Sequence, residues 1–241
     1  MKPWLDRFRS ARMWKWRLTG PAMADHDSQG AGMLKRLMLK PLLYLLSFPL
    51  AGCLYALQNH AKPRMHVLAT ALDRALPFIP AFSVFYALWY PFLFLTLFII
   101  LQRSLSQYYQ TLAAIFLGMV LCNVIFFAYQ TYVPRPEHIG TGLFSHLVRF
   151  VYAEDKPYNG FPSIHVLTCY LVARGSALLP RRFRWGVYGF SALIILSTLF
   201  IKQHVLADAA AGILLGEMVF RVTGSLLSLK PALFRPNGRQ L

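Results

Sequence analysis

The chain has 241 residues, of which 56% are hydrophobic and 14% are charged. Since soluble domains carry about 25% charged residues, this composition excludes an ordinary soluble enzyme and a disordered chain, and it indicates a membrane-embedded protein. The net charge is +16, but the basic residues lie in short segments between apolar runs. We therefore interpret them as determinants of membrane topology and expect no nucleic-acid partner.

Residues 1–36 form a basic segment in which Lys and Arg are interleaved with Trp4, Phe8, Trp14 and Trp16. This mixture is typical of a helix that lies on an anionic membrane surface. A cytoplasmic tail that only follows the charge bias of membrane proteins is the alternative interpretation.

Six apolar runs follow this segment. They cover about residues 37–57, 80–101, 109–133, 166–179, 185–201 and 205–220. The fourth and sixth runs contain Arg174, Asp208 and Glu217, and charged residues inside spans are rare and usually functional. We predict an all-α, polytopic membrane protein with a basic N-terminal segment (1–36), one bundle of six transmembrane helices (37–224) and a C-terminal tail (225–241).

The distribution of basic residues predicts the orientation of this bundle. With six spans, eighteen of the 25 Lys and Arg residues lie on the side that holds both termini, which places both termini in the cytoplasm and the protein in the cell membrane. Residues 134–161 and 202–204 then face outward. Within the first of these segments, helical spacing is found for Phe144, Leu147, Val148 and Val151, which predicts an amphipathic helix in the outer interface.

Three clusters of unusual residues lie at the predicted outer end of the bundle. The cluster nearest the C-terminus, residues 201–208, contains His204 and Asp208. Four residues apart on a helix, these side chains would share a face. A carboxylate beside an imidazole fixes its tautomer and stabilises the imidazolium, which prepares the other ring nitrogen to act as a nucleophile. A purely structural polar pair is the alternative.

Two further clusters supply groups that suit a phosphate. Pro162 is typical of the first position of a helix, so the amides of Ser163, Ile164 and His165 are expected to be free to bind an anion. Ser163 adds a hydroxyl, and His165 is a candidate general acid. Arg135, between two prolines, suits bidentate phosphate contact, or it only sets the topology.

Together these clusters resemble the type 2 phosphatidic acid phosphatase superfamily. Its signature is a Lys, six residues and Arg-Pro; then Pro-Ser-Gly-His; then Ser-Arg, five residues, His, three residues and Asp. Here Arg135 and Pro136, residues 162–165, and Ser197 with His204 and Asp208 match in order and spacing. The chain departs from the signature at three positions, which are Ala128 for Lys, Ile164 for Gly and Thr198 for Arg.

The resemblance implies a mechanism without a metal or another cofactor. His204 attacks the lipid phosphate, Asp208 orients His204, and His165 protonates the leaving group. The phosphoryl oxygens are held by Arg135, Ser163, Lys202 and the helix-start amides that include Ile164. Lys202 is expected to replace one of the missing motif cations.

The function implied is a lipid phosphatase whose partner is a membrane lipid phosphate and whose active site lies outside the cytoplasm. Residues 161–165 and 202–204 look more like the inositol-phosphorylceramide-synthase-like branch, so a lipid head-group phosphotransferase is the alternative. Two further functions stay open. One is a transporter or channel with a transport or proton-relay site at His204, Asp208 and Arg135, and the other is a metal-dependent membrane hydrolase. The lipid and the oligomeric state are not predicted.

Overall fold

The computed structural model describes residues 45–228. The predicted basic N-terminal segment, the first part of the first predicted span and most of the C-terminal tail lie outside the described residues. Within 45–228 the secondary structure is helical, with two isolated β-bridges and no strand. The all-α prediction is therefore confirmed for this part of the chain.

The α-helices of this region follow one another in chain order with short connections. They are α1 (Ser47–Gln58), α2 (Ala71–Ala75), α3 (Ser83–Ala87), α4 (Trp89–Arg103), α5 (Leu105–Ala128), α6 (Leu143–Glu154), α7 (Ile164–Gly175), α8 (Arg181–Phe200) and α9 (Leu206–Ser228). A short 3-10 turn, Pro80–Phe82, leads into α3, and another, Ser176–Leu178, continues α7.

Within residues 45–228, four helical segments are long and apolar enough to cross a membrane, which fits a membrane protein. They are Pro80–Arg103, α5, α8 and α9, and they correspond to the second, third, fifth and sixth predicted runs. The fourth run forms α7, whose 12 residues rise only about 18 Å against a hydrocarbon core of about 30 Å. The count of six spans stays a prediction.

Helix α7 lies at the centre of the bundle, and nine of its twelve residues are buried. It packs against α5, α8 and α9, and its Leu167, Leu171 and Val172 are fully buried. On the outward faces of the long helices, by contrast, Leu95, Phe127 and Leu214 are more than half exposed. Such surfaces are stable where lipid rather than water is the solvent.

The contact between α7 and α9 is close because α9 presents glycine there. A Cβ atom at Gly212 would lie 2.8 Å from the backbone oxygen of Ser163, and one at Gly216 would lie 2.9 Å from the ring of Tyr170. A pair of small residues four positions apart lets two backbones approach in this way.

At one end of the bundle the connecting segments pair with one another. Helix α5 ends at Ala128 rather than near 133 as predicted, because the backbone beyond it bonds to a neighbouring segment. The amide of His66 donates to the oxygen of Gln130 at 2.9 Å, and the amide of Tyr132 donates to the oxygen of His66 at 2.8 Å. Tyr132 also forms an antiparallel bridge with Tyr158.

The predicted amphipathic helix is present as α6. Val148 and Val151 are buried while Phe144 is exposed, so one face of α6 packs on the bundle, where it meets α3. The location of α6 in the membrane interface stays a prediction.

Candidate active site

The three motif segments meet at this paired end of the bundle. Arg135 follows α5, Ser163 precedes α7, and His204 lies in the connection between α8 and α9. The ends of four helices therefore bring together residues that are far apart in sequence.

His204 sits between a carboxylate and a second histidine. Its Nδ1 is 3.3 Å from Oδ2 of Asp208, and its Nε2 is 3.3 Å from Nδ1 of His165. Both imidazoles are 8% exposed and Asp208 is 1% exposed. A proton on Nδ1 bonded to Asp208 leaves the lone pair of Nε2 available, which is the tautomer that a nucleophile needs.

The contact between His204 and Asp208 arises differently from the prediction. His204 precedes α9, which begins at Leu206, so the two residues do not share a helical face. Asp208 is the third residue of the helix, and its Oδ2 accepts the Val205 amide at 3.0 Å. This is one half of a capping box, and it places the carboxylate beside the residue before the helix.

The turn that carries His204 follows the Schellman pattern at the end of α8. The amide of Gln203 donates to the oxygen of Thr198 at 2.9 Å, and the amide of Lys202 donates to that of Leu199 at 3.1 Å. Lys202 has a φ of 54°, the left-handed conformation that glycine usually adopts in this motif. For a residue with a Cβ, this conformation costs about 1 kcal/mol or more.

The Lys202 side chain reaches back to the segment before α3. Its Nζ donates to the backbone oxygens of Asp73 at 2.7 Å and Leu76 at 2.6 Å. Burial lowers the pKa of this ammonium, and the Asp73 charge opposes that change. Because an ammonium has three donors, these two hydrogen bonds leave one donor available.

Ser163 caps α7, which differs from the prediction for this cluster. Its Oγ accepts the Val166 amide at 3.3 Å, so Pro162 lies before the cap and not in the first helical position. The Ser163 amide is not free, since it donates to the backbone oxygen of Asp208 at 3.1 Å. The Ile164 side chain is 6% exposed and packs in the hydrophobic core.

Arg135 is held chiefly by oxygen atoms of the protein. Its Nη1 donates to the oxygen of Tyr152 at 3.1 Å, and its Nη2 donates to the oxygen of Asp155 and, at 2.5 Å, to Oε1 of Gln203. The guanidinium also lies 4.0 Å from the centre of the Tyr152 ring. Its buried Nε has no hydrogen-bond partner.

Asp155 links Arg135 to the wall around His165, and no local sequence pattern predicts this role. Its carboxylate accepts hydrogen bonds from the hydroxyl of Tyr55 at 2.5 Å and from the hydroxyl of Tyr86. The Tyr86 ring centre in turn lies 4.5 Å from that of His165. On its other side His165 meets the indole of Trp89 at 4.1 Å.

A cavity of about 300 Å³ opens beside His204. Its polar lining includes Asp73, Arg74, Arg135 and Lys202. The remaining lining residues are mostly apolar: Val67, Ala69, Leu76, Val133, Pro134, Pro136, Leu199 and Val205. The cavity can therefore accept an anionic group that is attached to an apolar one.

Asp73 and Arg74 reach this cavity from α2, outside all the sequence motifs. A capping box between Thr70 and Asp73 begins α2, and its Thr-x-x-Asp pattern is readable in the sequence. The contact of Asp73 with the start of α9, from Oδ1 to the Leu206 amide at 2.7 Å, has no such signal. Among the described residues, no group of three or more His, Cys, Asp or Glu is arranged to hold a metal ion.

Comparison with known proteins agrees with this arrangement. The family model of the PAP2 superfamily matches residues 107–228, which is about half of the chain and includes the three motif segments but not α1 to α4. No curated protein and no solved structure matches the chain.

Proposed function

The chain belongs to the PAP2 superfamily, whose members act on phosphoric esters, and from this we propose that it is a membrane lipid phosphatase with a phosphohistidine intermediate. The observation that carries the proposal is the row of side chains formed by Asp208, His204 and His165, which has two contacts of 3.3 Å. This row lies beside a mostly apolar cavity whose lining includes basic side chains.

In the first step Nε2 of His204 attacks the phosphorus atom. The bond from phosphorus to the ester oxygen breaks, and the leaving oxygen takes a proton from the imidazolium of His165. The negative charge of the bound phosphate favours this protonated form of His165. Asp208, bonded to Nδ1, stabilises the positive charge that develops on the phosphorylated ring of His204.

In the second step a water molecule attacks the phosphohistidine. Neutral His165 accepts a proton from the water, the bond from phosphorus to nitrogen breaks, and its electrons return to Nε2 of His204. Arg135 and Lys202 offset the charge on the phosphoryl oxygens. Ser163 and the amide of Ile164 are further candidate ligands of these oxygens.

The test is product analysis with a panel of lipid phosphates, including phosphatidic acid, a polyprenyl pyrophosphate and a sphingoid phosphate. The detergent-purified protein is expected to release inorganic phosphate from at least one of them, with and without EDTA. His204→Ala should release none, and His146→Ala, which changes an exposed histidine of α6, should match the wild type. Flux across vesicles without phosphate release would instead indicate a transporter.

A lipid head-group phosphotransferase is the second candidate. It is favoured by residues 161–165 and 202–204, which look like the inositol-phosphorylceramide-synthase-like branch, and by the small exposure of both histidines, which limits access of water. Alcohol acceptors added to the same panel distinguish the two activities. A new lipid phosphodiester at the expense of free phosphate identifies the transferase.

His165 has a distinct signature in the same assay. His165→Ala should be strongly impaired with an alkyl phosphate, but much less with an aryl phosphate whose leaving group needs no proton. An equal loss with both leaving groups would contradict its assignment as the general acid.

We also propose that the site faces away from the cytoplasm, with both termini inside and the basic segment on the anionic inner surface. The charge distribution of the sequence supports this orientation. In a Cys53→Ser background, which removes an exposed thiol, Glu154→Cys should react with an impermeant thiol reagent on intact cells and Arg182→Cys should not. The reverse pattern would invert the topology.

A further inference from the structure

The proposed phosphoryl transfer needs more free positive charge than the motif residues provide. A phosphoryl group in transfer spreads its negative charge over three equatorial oxygens, and the family signature offers three basic side chains. Here two of those positions are Ala128 and Thr198. The remaining motif cation, Arg135, uses both terminal nitrogens on protein oxygens.

Lys202 makes up only part of this deficit. Two of its donors are bound to the backbone oxygens of Asp73 and Leu76. A phosphate at His204 would therefore find one free ammonium donor and the unpaired Nε of Arg135.

Arg74 faces the same cavity as His204 and is much less committed. Within residues 45–228, one hydrogen bond is found for its guanidinium, from Nη1 to the oxygen of Ala69 at 3.4 Å. The side chain is exposed, so it can turn toward a ligand without breaking a network. An arginine fork also matches two phosphate oxygens at once.

The backbone of Arg74, in contrast, is fixed to the catalytic turn. The neighbouring Asp73 is 7% exposed and accepts the Leu206 amide at 2.7 Å through Oδ1, while its backbone oxygen accepts Nζ of Lys202 at 2.7 Å. Burial would raise the pKa of Asp73, but hydrogen bonds from Thr70 and the Leu206 amide hold it below its usual value. The guanidinium of Arg74 can thus reorient while the backbone of α2 stays in place beside Lys202 and Leu206.

We propose that Arg74 binds the phosphate of the substrate and supplies the cation that the motif positions lack. The proposal rests on the proposed phosphatase function, and it concerns a residue outside the part of the chain that the family model matches. By this inference α2 belongs to the active site and is not only a connection between helices.

The test compares Arg74→Ala, Arg74→Lys and a matched control, Arg64→Ala, which removes another exposed arginine of the same connecting segment. Orthovanadate serves as the probe because it presents phosphate-like oxygens without a lipid. Its binding is measured by thermal stabilisation of the purified proteins and by inhibition of hydrolysis of the best lipid phosphate in the panel.

Arg74→Ala is expected to bind vanadate about tenfold more weakly or worse, Arg74→Lys to recover part of that loss, and Arg64→Ala to match the wild type. Equal melting temperatures without vanadate show that the variants fold. Wild-type vanadate affinity in folded Arg74→Ala would overturn the inference, even if its KM for the lipid rises. If the wild type itself neither binds vanadate nor hydrolyses any lipid phosphate, the proposed function fails first.

Discussion

Helix α9 carries two carboxylates, Asp208 in its first turn and Glu217 farther along, and their surroundings differ in exposure and in the kind of partner. The side chain of Asp208 is 1% exposed and that of Glu217 is 24% exposed. Asp208 meets one basic side chain, the imidazole of His204, whose Nδ1 lies 3.3 Å from Oδ2.

Glu217, in contrast, accepts hydrogen bonds from one tyrosine and two arginines. It accepts the Tyr170 hydroxyl at 2.6 Å, Nε of Arg174 at 2.9 Å and Nε of Arg221 at 2.6 Å. Since guanidinium groups do not deprotonate in proteins, both arginine partners of Glu217 stay charged. The comparison teaches that a carboxylate in an apolar helix is a candidate for catalysis where its partner is an imidazole, which can act as a nucleophile or transfer protons. Where its partners are guanidinium groups, a structural ion pair is the simpler interpretation.

The largest expected effect is that of His204→Ala. Loss of the nucleophile should lower turnover of the purified enzyme by on the order of 10⁴-fold or more, because removing a nucleophile has effects of this size in other enzymes. Phosphate release over hours, against the His146→Ala control, measures this loss. Near-normal turnover would remove the distinction between the two carboxylate clusters.

Asp208→Asn should cost less, about 10²- to 10⁴-fold in turnover. The amide keeps the size of the side chain but cannot hold the Nδ1 proton of His204 as firmly or stabilise its positive charge. Single-turnover kinetics should show slower phosphorylation of His204. An unchanged rate would reduce Asp208 to a helix cap.

Substitutions at Lys202 can separate the effect of its side-chain charge from the effect of its left-handed backbone conformation. Lys202→Ala should lower turnover about 10²-fold if its ammonium contacts the transferring phosphate, and Lys202→Arg should recover part of that. Lys202→Gly should be as slow as Lys202→Ala but should melt at a higher temperature, since glycine adopts the left-handed conformation without strain. Full turnover in a folded Lys202→Ala would show that the ammonium has no role in turnover, and that Lys202 only joins the α8–α9 connection to α2.

Glu217→Gln should have the smallest effect on activity, less than about threefold in turnover, because the Glu217 cluster is far along α9 from the histidines. Its pair with Arg174 is partly exposed, so a fall of a few degrees in melting temperature is the most that we expect. A large loss of turnover without unfolding would show that the two clusters communicate.

Much of the site could be predicted from the sequence because its residues come in short motifs. The order and spacing of Arg135, His165, His204 and Asp208 predicted that they meet at one end of a bundle, and the structure brings them together. The apolar runs likewise predicted the four long helices. The roles of these residues stay predictions until variants are measured.

The rest depends on contacts between distant segments. Asp73 bonds to Leu206 and Asp155 to Tyr55, and neither pair has a periodicity or a motif that links its members. Helix α7 begins at Ile164, two residues after Pro162, the predicted first position, because Ser163 acts as its N-cap. The end of α5 depends on pairing with His66, which composition does not reveal.

The close approach of α7 and α9 sets the relative positions of the residues in the proposed reaction. His165 extends from the first turn of α7, and Asp208, whose Oδ2 lies 3.3 Å from Nδ1 of His204, extends from the first turn of α9. The two turns are joined by the hydrogen bond from the Ser163 amide to Asp208 at 3.1 Å. Next to this bond, Gly212 leaves 2.8 Å between the oxygen of Ser163 and the place of a Cβ atom. A side chain at position 212 would therefore push the first turns of α7 and α9 apart. Since reacting groups must be aligned to within about 1 Å, we expect this shift to misalign the two histidines of the proposed mechanism.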